Sequence, residues 1–469
     1  MDMEKKTRSA CIMQALDYMR KGKGNIPVRV FHALESGPLA YRTFGGQERI
    51  CALSEETMER VFGGDYLLTI LTGTVASKFL HAKGSVHTFY TDSEIYRFFQ
   101  RHGLLDCGLW DDVDYMVLDK ALSAENFDYR WAYSACKPYA TLEEIARREK
   151  VIQNGGEKMP LLFHDADLIL RQSFDCILNI GCEEVEKQTS NECFMKEQSM
   201  LRFRQQDDMV MAVGHIEEVG TPFYPPFEEI YLPECLELQD GMLVDKKRGL
   251  SYRTDLPAVN TCLMYFSDME VAEEWAYLFE DFMRDNHAPV KSWLEGEQQL
   301  LTADQRPGLM VAERRNLKLW KDIGFFVPLT WTGKDFKALP NSPVSEKEWH
   351  YYRPDYLSPE QYPNVANWNQ TIQHTWIQKL DIERHVAYGN YMGCFHLELL
   401  QNLCQELGLN WEKLECSLKS FSSLERYFAL FDSGKTIEEL LVEEKKKPVH
   451  ERKIDDVLIK GLEKTMFPQ

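Results

Sequence analysis

Two hydrophobic periods alternate along the chain up to about residue 215. Short runs rich in β-branched and aromatic residues predict strands over Val28–Phe31, Val86–Tyr90, Tyr115–Leu118 and Met159–Phe163. Apolar residues at helical spacing predict helices between them, over Tyr66–Leu80, Glu94–Arg101 and Arg130–Arg148. Strands separated by helix-length segments are typical of an α/β fold with a doubly wound, mainly parallel sheet flanked by helices.

The pattern changes twice after this first part. Residues 216–260 are loop-rich, and a further strand, Val259–Phe266, precedes a helix over Met269–Met283. Residues 341–368 are irregular and rich in Pro, Tyr and Trp, and the chain after about residue 388 is helical to its end. We therefore expect an N-terminal helix in residues 1–25, an α/β half in 26–215, a second half with long loops in 216–387 and a helical C-terminal region in 388–469.

Charge and cysteine usage narrow the class of protein. The 469 residues are 44% hydrophobic and carry 54 Lys and Arg against 74 Asp and Glu, a formal net charge of −20. An acidic chain lacks the basic footprint that nucleic acids and anionic membranes require, so neither is expected as a partner. The sequence contains no signal peptide and no transmembrane segment, and its 12 cysteines form no C-x-x-C pair. These features predict a cytoplasmic protein.

Aspartates follow two of the predicted strands. Asp92 follows the strand that ends at Tyr90, and Asp165 and Asp167 follow the strand that ends at Phe163. Ligands of such sheets lie outside the carboxyl ends of the strands, so these residues are expected to line one crevice. Asp165 and Asp167 point to the same side at a strand period of two, and all-oxygen ligation suits Mg²⁺ or Mn²⁺. Alternatively, one aspartate caps a helix and the other forms a salt bridge.

Several short blocks over about residues 60–385 carry a resemblance. Their letters are YTD at 90–92, RWAYSACK at 130–137, FHDADL at 163–168, VNTCLMYFSD at 259–268, ADQR at 303–306 and HTWIQK at 374–379. In this order they resemble bacterial glycosyltransferase-like proteins of the GT-A superfamily, which contain a D-x-D motif and are found with surface-polysaccharide biosynthesis. The resemblance implies a GT-A-like fold, with residues 26–215 binding a nucleotide sugar and 216–387 facing the acceptor.

The resemblance also implies an activity and a set of residues. The activity is transfer of a sugar from a UDP- or GDP-sugar donor to a glycan or a lipid-linked saccharide, with Mn²⁺ or Mg²⁺ as cofactor. Carried over by position, the metal ligands are Asp165, Asp167 and His374, and the catalytic base is Asp268. The residues that contact the donor are Asp92, Trp131, Lys137, Asn260 and Lys379.

Each of these residues also has a plainer interpretation. His374 is then a hydrogen-bonded histidine beside Trp376, the two lysines are surface residues, and Asp268 is the N-cap of the helix that follows it. Three glycines of the family pattern are replaced by Cys262, Tyr265 and Phe266. If these aromatic side chains fill the space beside Asp165, the chain is a non-catalytic binding or scaffold protein of the same fold. A nucleotidyltransferase is a third alternative, although the Gly-rich phosphate loop expected near its N-terminus is missing.

Overall fold

A computed structural model provides the structure of the protein. It describes residues 9–36, 58–59, 64–122, 136–166, 168–170, 173–174, 211–217, 226–256, 258–282, 305–315, 319–321, 329–331, 336–338, 365–367, 382–454, 456 and 459. The α-helices in these segments are α1 Ala10–Lys21, α2 Asp65–Leu80, α3 Ser93–Arg101, α4 Met116–Leu122, α5 Cys136–Gln153, α6 Met269–Phe282, α7 Arg306–Arg314, α8 Ile382–Leu407, α9 Trp411–Leu418, α10 Glu425–Phe431 and α11 Ile437–Lys446.

The strands form one large sheet and three small ones. They are β1 Arg29–Leu34, β2 Val86–Thr91, β3 Asp112–Asp114, β4 Leu161–His164, β5 Leu168–Leu170, β6 Met211–Glu217, β7 Leu236–Gln239, β8 Met242–Asp245, β9 Leu250–Arg253, β10 Ala258–Phe266, β11 Leu319–Lys321, β12 Leu329–Trp331, β13 Phe336–Ala338 and β14 Val365–Asn367. The small sheets pair β7 with β8 and β9, β12 with β13, and β5 with β14.

The large sheet has seven strands in the order β11-β6-β10-β4-β1-β2-β3. β1 runs parallel to both β2 and β4, β2 is parallel to β3, and β11 is parallel to β6. β10 runs antiparallel to both of its neighbours, β4 and β6, so it alone opposes the other six. The prediction of an α/β fold with a mainly parallel sheet is confirmed for the described residues.

Helices cover both faces of this sheet. Alternate side chains of β1 point to opposite faces. Arg29 points to the face covered by α5, where its guanidinium contacts Glu144 at 2.7 Å. The other face is covered by α2, where Ser77 Oγ lies 3.2 Å from Nε2 of His164 at the end of β4. The long helix α8 packs against α2 from outside and brings the C-terminal helices onto this face.

Two predictions of local structure differ from what is observed, and one falls partly outside the described residues. The strand predicted over Tyr115–Leu118 is wrong, because β3 ends at Asp114 and α4 begins at Met116. The Asp114 carboxylate accepts the N–H groups of Met116 at 2.8 Å and Val117 at 3.2 Å, and these bonds start the helix. The helix predicted from Arg130 is α5, which is described from Cys136, and residues 123–135 lie outside the described segments.

The second difference lies in the segment predicted to be loop-rich, which contains the antiparallel sheet β7-β8-β9. Asp240 and Gly241 connect β7 to β8 with φ values of 52° and 75°. Two successive residues of positive φ make a hairpin turn that matches the twist of the strands, which is why Asp-Gly is favoured there. Helical structure after residue 388 is confirmed, since α8 to α11 occupy most of 382–446. No helix of the described segments combines the length and the apolar character needed to cross a membrane.

Candidate functional site

The order of the central strands defines where a ligand would bind. β1 lies between β2 and β4, so the chain leaves β1 to one side and later returns to its other side. In open α/β sheets, ligands bind at such a reversal, in the crevice outside the carboxyl ends of the strands. Glu35 follows β1, Asp92 follows β2, and Asp165 follows β4. Because β2 and β4 both run parallel to β1, Asp92 and Asp165 lie at the same edge of the sheet.

Lys137 and Asp165 are in direct contact at this edge. Lys137 lies in the first turn of α5, and its Nζ is 3.1 Å from Oδ1 of Asp165 and 3.3 Å from Oγ1 of Thr261 in β10. Only 8% of Lys137 is exposed, whereas 28% of the Asp165 side chain remains accessible. A buried ammonium group requires an anionic or polar partner. The structure therefore brings two of the predicted site residues together as an ion pair with one solvent-facing carboxylate.

Asp92 is used inside the protein. It is the N-cap of α3, where one carboxylate oxygen accepts the N–H of Ile95 at 3.0 Å. The other oxygen accepts the backbone N–H and the hydroxyl of Ser36, at 2.5 and 2.6 Å. Burial raises the pKa of Asp92 against these hydrogen bonds, which lower it. Asp92 thus fastens the turn after β1 to the start of α3, as the capping alternative requires.

Glu35 is a site residue that the sequence did not reveal. It is 3% exposed, and its hydrogen bonds come from the thiol and the amide of Cys136 at the start of α5. Burial raises the pKa of Glu35 well above its usual value, and the neighbouring Asp92 raises it further. The thiol and amide of Cys136 oppose that rise. A single glutamate after a short strand carries no motif, so only the three-dimensional structure identifies it.

Asp268 lies away from these residues. β10 is antiparallel to β4, and its last residue, Phe266, pairs with Leu161 at the beginning of β4. Asp268 therefore lies at the edge of the sheet opposite to Asp165. Its carboxylate accepts the N–H of Glu270 at 2.9 Å, in the first turn of α6. This is the helix-capping alternative, and nothing in this position connects Asp268 with the crevice.

Tyr265 and Phe266 also lie on the far side of β4. Tyr265 pairs with Leu162 and stacks on Phe174, with ring centroids 4.9 Å apart. Phe266 pairs with Leu161 and is fully buried beside Trp275. Neither pairs with the carboxyl end of β4, where Leu263 faces His164. These two aromatic side chains therefore do not fill the space beside Asp165.

Other predicted site residues fall outside the described segments or only partly within them. Asn260 is a backbone position of β10 next to Thr261, on the side of the crevice, and its side chain is not described. Trp131, Asp167, His374 and Lys379 lie outside the described residues. The pairing of β5 with β14 nevertheless brings together the chain next to Asp167 and the chain that leads to His374. Leu168, which follows Asp167, pairs with Asn367, seven residues before His374.

The described residues do not form a metal site. No group of three or more His, Cys, Asp or Glu side chains among them is arranged to hold a metal ion. Asp165 supplies one carboxylate, and its partner is the ammonium group of Lys137, which is itself a cation. The donor set described so far does not fit Mn²⁺ or Mg²⁺. The sequence-based prediction of a metal depends on Asp167 and His374.

Four buried histidines lie between the large sheet and α2. His32 and His164 are edge to face with ring centroids 4.0 Å apart, and His81 and His87 are 6.1 Å apart. Ser77 connects the pairs, because its hydroxyl lies 3.2 Å from both His164 Nε2 and His81 Nδ1. Burial lowers the pKa of His32 to about 4 and lowers that of His87 and His164 well below the usual value. The rings of His32, His87 and His164 are therefore neutral packing and hydrogen-bonding groups at neutral pH.

Comparison with known proteins does not identify a family for this fold and site. No protein-family model matches the chain, and no curated protein sequence matches it.

Proposed function

We propose that the protein is a glycosyltransferase that transfers a sugar from a UDP- or GDP-sugar to a glycan or lipid-linked saccharide. The observation that carries the proposal is the contact of Lys137 with Asp165 and Thr261 at the carboxyl edge of the central strands. A crevice at this point of an α/β sheet is where nucleotides bind. The order of the sequence blocks that resemble the GT-A superfamily supports the same activity.

The electrostatics of the crevice suit an anionic ligand with hydroxyl groups. The protein carries a net charge of −20, so a diphosphate needs a local cation to approach it. Lys137 is such a cation, and Asp165 and Thr261 fix its position before any ligand arrives. The accessible part of Asp165 offers a carboxylate oxygen to a sugar hydroxyl. These roles need only residues of the described crevice.

The binding of a metal ion is a separate part of this proposal, because it depends on residues other than Lys137 and Thr261. The D-x-D block and its resemblance suggest Mn²⁺ or Mg²⁺, with Asp167 and His374 joining Asp165. The pairing of Leu168 with Asn367 supports this grouping, because it connects the chain next to Asp167 with the chain that leads to His374. Since the described donors do not fit a divalent cation, no step of the transfer is assigned to a metal here.

The alternative of a non-catalytic binding or scaffold protein rests on three replaced glycines and on the aromatic-rich residues 341–368, and the described residues bear on two of these replacements. It was motivated by aromatic residues in place of glycines, and Tyr265 and Phe266 pair with the amino half of β4 instead. Asp268 lies at the opposite edge of the sheet from Asp165, so its role as the catalytic base rests on the resemblance alone. The proposal therefore assigns binding residues and leaves the group that accepts the proton unassigned.

Calorimetric titration of UDP and GDP, each with and without MnCl₂, tests the proposal. We expect Asp165→Asn and Lys137→Met to weaken binding by about tenfold to a hundredfold, the range for loss of a charge-assisted contact. The exposed residues Asp106 and Lys158 provide matched controls, Asp106→Asn and Lys158→Met, that should bind like the unsubstituted protein. Unchanged binding in both site variants, with the fold intact by circular dichroism, would contradict the proposal. Hydrolysis of a panel of UDP- and GDP-sugars then identifies the donor.

A further inference from the structure

The ammonium group of Lys137 lies against the carboxylate that the resemblance assigns to a metal ion. Its Nζ is 3.1 Å from Oδ1 of Asp165, the first aspartate of the D-x-D block. A divalent cation of this type lies about 2.1 Å from a carboxylate oxygen, so one bound to the same carboxylate would come close to the ammonium. Two cations repel each other strongly where burial lowers the dielectric constant. Lys137 and a divalent cation therefore weaken each other's binding to Asp165.

Contacts from three elements hold this ammonium group in place. The hydroxyl of Thr261 in β10, which is fully buried, lies 3.3 Å from Nζ of Lys137. The centre of the Phe163 ring in β4 lies 5.4 Å from the same atom, within the range of a cation–π interaction. Within α5, the hydroxyl of Thr141 donates to the carbonyl of Lys137 at 2.8 Å. Moving the ammonium away from Asp165 to admit a metal would cost these contacts and leave a buried charge without its counter-ion.

The other carboxyl groups described at this edge of the sheet are bound inside the protein. Asp92 caps α3 and holds the turn after β1, and Glu35 accepts hydrogen bonds from Cys136. Both are buried, whereas 28% of the Asp165 side chain is accessible. A divalent cation needs several oxygen ligands, but an ammonium ion needs a single counter-ion. The described carboxyl groups of the crevice therefore fit the ammonium of Lys137 better than they fit Mn²⁺ or Mg²⁺.

We infer that Lys137 binds the diphosphate of the donor in place of a divalent cation, so that nucleotide binding in this crevice is independent of metal. The ammonium group donates charge-assisted hydrogen bonds to phosphate oxygens. Asp165 is the counter-ion that holds Lys137 in position while the diphosphate binds. The inference rests on the proposed function and concerns how the same site recognises the nucleotide.

Calorimetric titration of the unsubstituted protein in two buffers tests this inference without any substitution. UDP and GDP are titrated once in the presence of EDTA and once in the presence of MnCl₂, and each nucleotide is titrated into the same buffer without protein as the blank. We expect MnCl₂ to tighten binding by no more than about twofold, because Lys137 already supplies the positive charge. MnCl₂ titrated alone into the protein should give no saturable heat.

The variant Lys137→Met separates the two kinds of site most sharply. If the ammonium binds the diphosphate, UDP binding in EDTA falls by about tenfold to a hundredfold, and MnCl₂ does not restore it. If a metal binds the diphosphate, removal of the competing ammonium frees Asp165 for Mn²⁺, and UDP binding in MnCl₂ is kept or becomes tighter. Lys158→Met, at an exposed lysine, is the matched control and should follow the unsubstituted protein in both buffers.

The outcomes distinguish failure of this inference from failure of the proposed function. If MnCl₂ tightens UDP or GDP binding of the unsubstituted protein by about tenfold or more, or restores it in Lys137→Met, metal-independent binding is overturned and the proposed function stands. Asp167 and His374 are then the residues to substitute next. If the unsubstituted protein binds neither nucleotide in either buffer, the proposed function fails and the inference fails with it. If circular dichroism shows that Lys137→Met does not fold, the comparison of the two buffers on the unsubstituted protein still decides.

Discussion

Two buried glutamates lie between α5 and the large sheet, and they differ in the groups that surround them. Glu144 is completely buried in the middle of α5, where it contacts Arg29 Nε at 2.7 Å and accepts the Tyr90 hydroxyl at 2.9 Å. Glu35 is nearly as buried near the first turn of α5, but its neighbours are the thiol and amide of Cys136 and the negative charge of Asp92, with no cation among the groups that act on it. Both are carboxyl groups removed from water against one face of one sheet.

The difference shows that burial of a carboxyl group is not in itself a sign of function. The carboxylate of Glu144 is bound by the guanidinium of Arg29 and the hydroxyl of Tyr90 in place of water. Because these partners lie inside the protein, Glu144 has a structural role. Glu35 has hydrogen bonds from Cys136 but no counter-charge in its surroundings, and it lies at the edge of the sheet where ligands bind. The presence or absence of a counter-charge, together with the position in the sheet, is what separates these two glutamates.

The largest expected effect on stability comes from replacing Glu144, the glutamate that has a counter-charge. Glu144→Gln leaves the buried guanidinium of Arg29 without its counter-charge, and we expect the free energy of unfolding to fall by about 3–5 kcal/mol. Urea denaturation measures this loss, with Glu157→Gln as the exposed control. Below the unfolding transition, UDP affinity should remain unchanged, since Glu144 does not reach the crevice. A loss of UDP affinity in the folded variant would show that the two glutamates are not separable in this way.

His32, on the opposite face of the sheet, is a buried titratable group of another type, and it affects stability through its pKa. Below pH 6.5 the unfolded chain protonates His32, whereas the folded protein does so only at about pH 4. Stability from this group is therefore present at neutral pH and is lost as the pH falls through this window, by about 3 kcal/mol in total. His32→Gln should flatten the decline in urea midpoint between about pH 6.5 and about pH 4. An unchanged slope would assign the acid sensitivity to other groups.

Gly73 of α2 tests how strongly ligand binding depends on the packing of α2 against the segment that contains Asp165. A Cβ atom on Gly73 would lie 2.2 Å from the carbonyl oxygen of Leu168, just after the D-x-D block. Gly73→Ala therefore forces backbone apart and should cost about 2 kcal/mol. We also expect weaker UDP binding, because the segment that moves contains Asp165.

Gly393 provides the control for this effect of added volume. A Cβ atom there would lie 2.5 Å from the ring of Tyr427, in the packing of α8 against α10. Gly393→Ala should lower stability to a similar extent but leave UDP affinity intact, since these helices are remote from Asp165. Equal losses of UDP affinity in both variants would mean that affinity follows global stability and not the position of the crevice.

The smallest expected change in stability belongs to Glu35→Gln. Because the pKa of Glu35 is raised on folding, the unfolded chain releases this proton at lower pH than the folded protein does. Glu35 therefore makes stability decline as the pH rises above about 4.3, the usual glutamate pKa, until the folded group also ionises. Glu35→Gln removes this decline, so we expect the stability of the variant relative to the unsubstituted protein to increase as the pH rises above about 4.3. A large destabilisation in urea would place Glu35 in the same structural class as Glu144.

Much of the fold follows from local sequence patterns, whereas the site follows only in part. The strands β1, β2, β4 and β10 and the helices α2, α3 and α6 lie where alternation and helical spacing predict them. The prediction failed at Tyr115–Leu118, because four apolar residues do not distinguish a strand from a helix and the decisive bonds come from Asp114.

Long-range placement explains what the sequence could not reveal about the site. Asp165 was accessible to prediction because a carboxylate within an apolar run is unusual. The contact of Lys137 with Thr261, 124 residues further along the chain, depends on how β10 pairs with β4. The same antiparallel pairing carries Asp268 to the far edge, and no local pattern announces the direction of a strand. Glu35 has no motif of any kind, and only its burial beside Asp92 and without a counter-charge sets it apart after folding.

The pairing of β5 with β14 has a consequence for how the protein is made. Leu170 pairs with Val365, so the strand that follows the D-x-D block has a partner that is synthesised much later. At about 5–20 residues per second, a ribosome needs roughly 10–40 s to span this interval. Throughout that time the nascent chain has an open strand edge beside its future crevice, which is a hazard for wrong pairing. A chaperone that shields residues near 168–170 during synthesis would therefore raise the yield of folded protein more than one that acts on the C-terminal helices, whose contacts with each other are local in sequence.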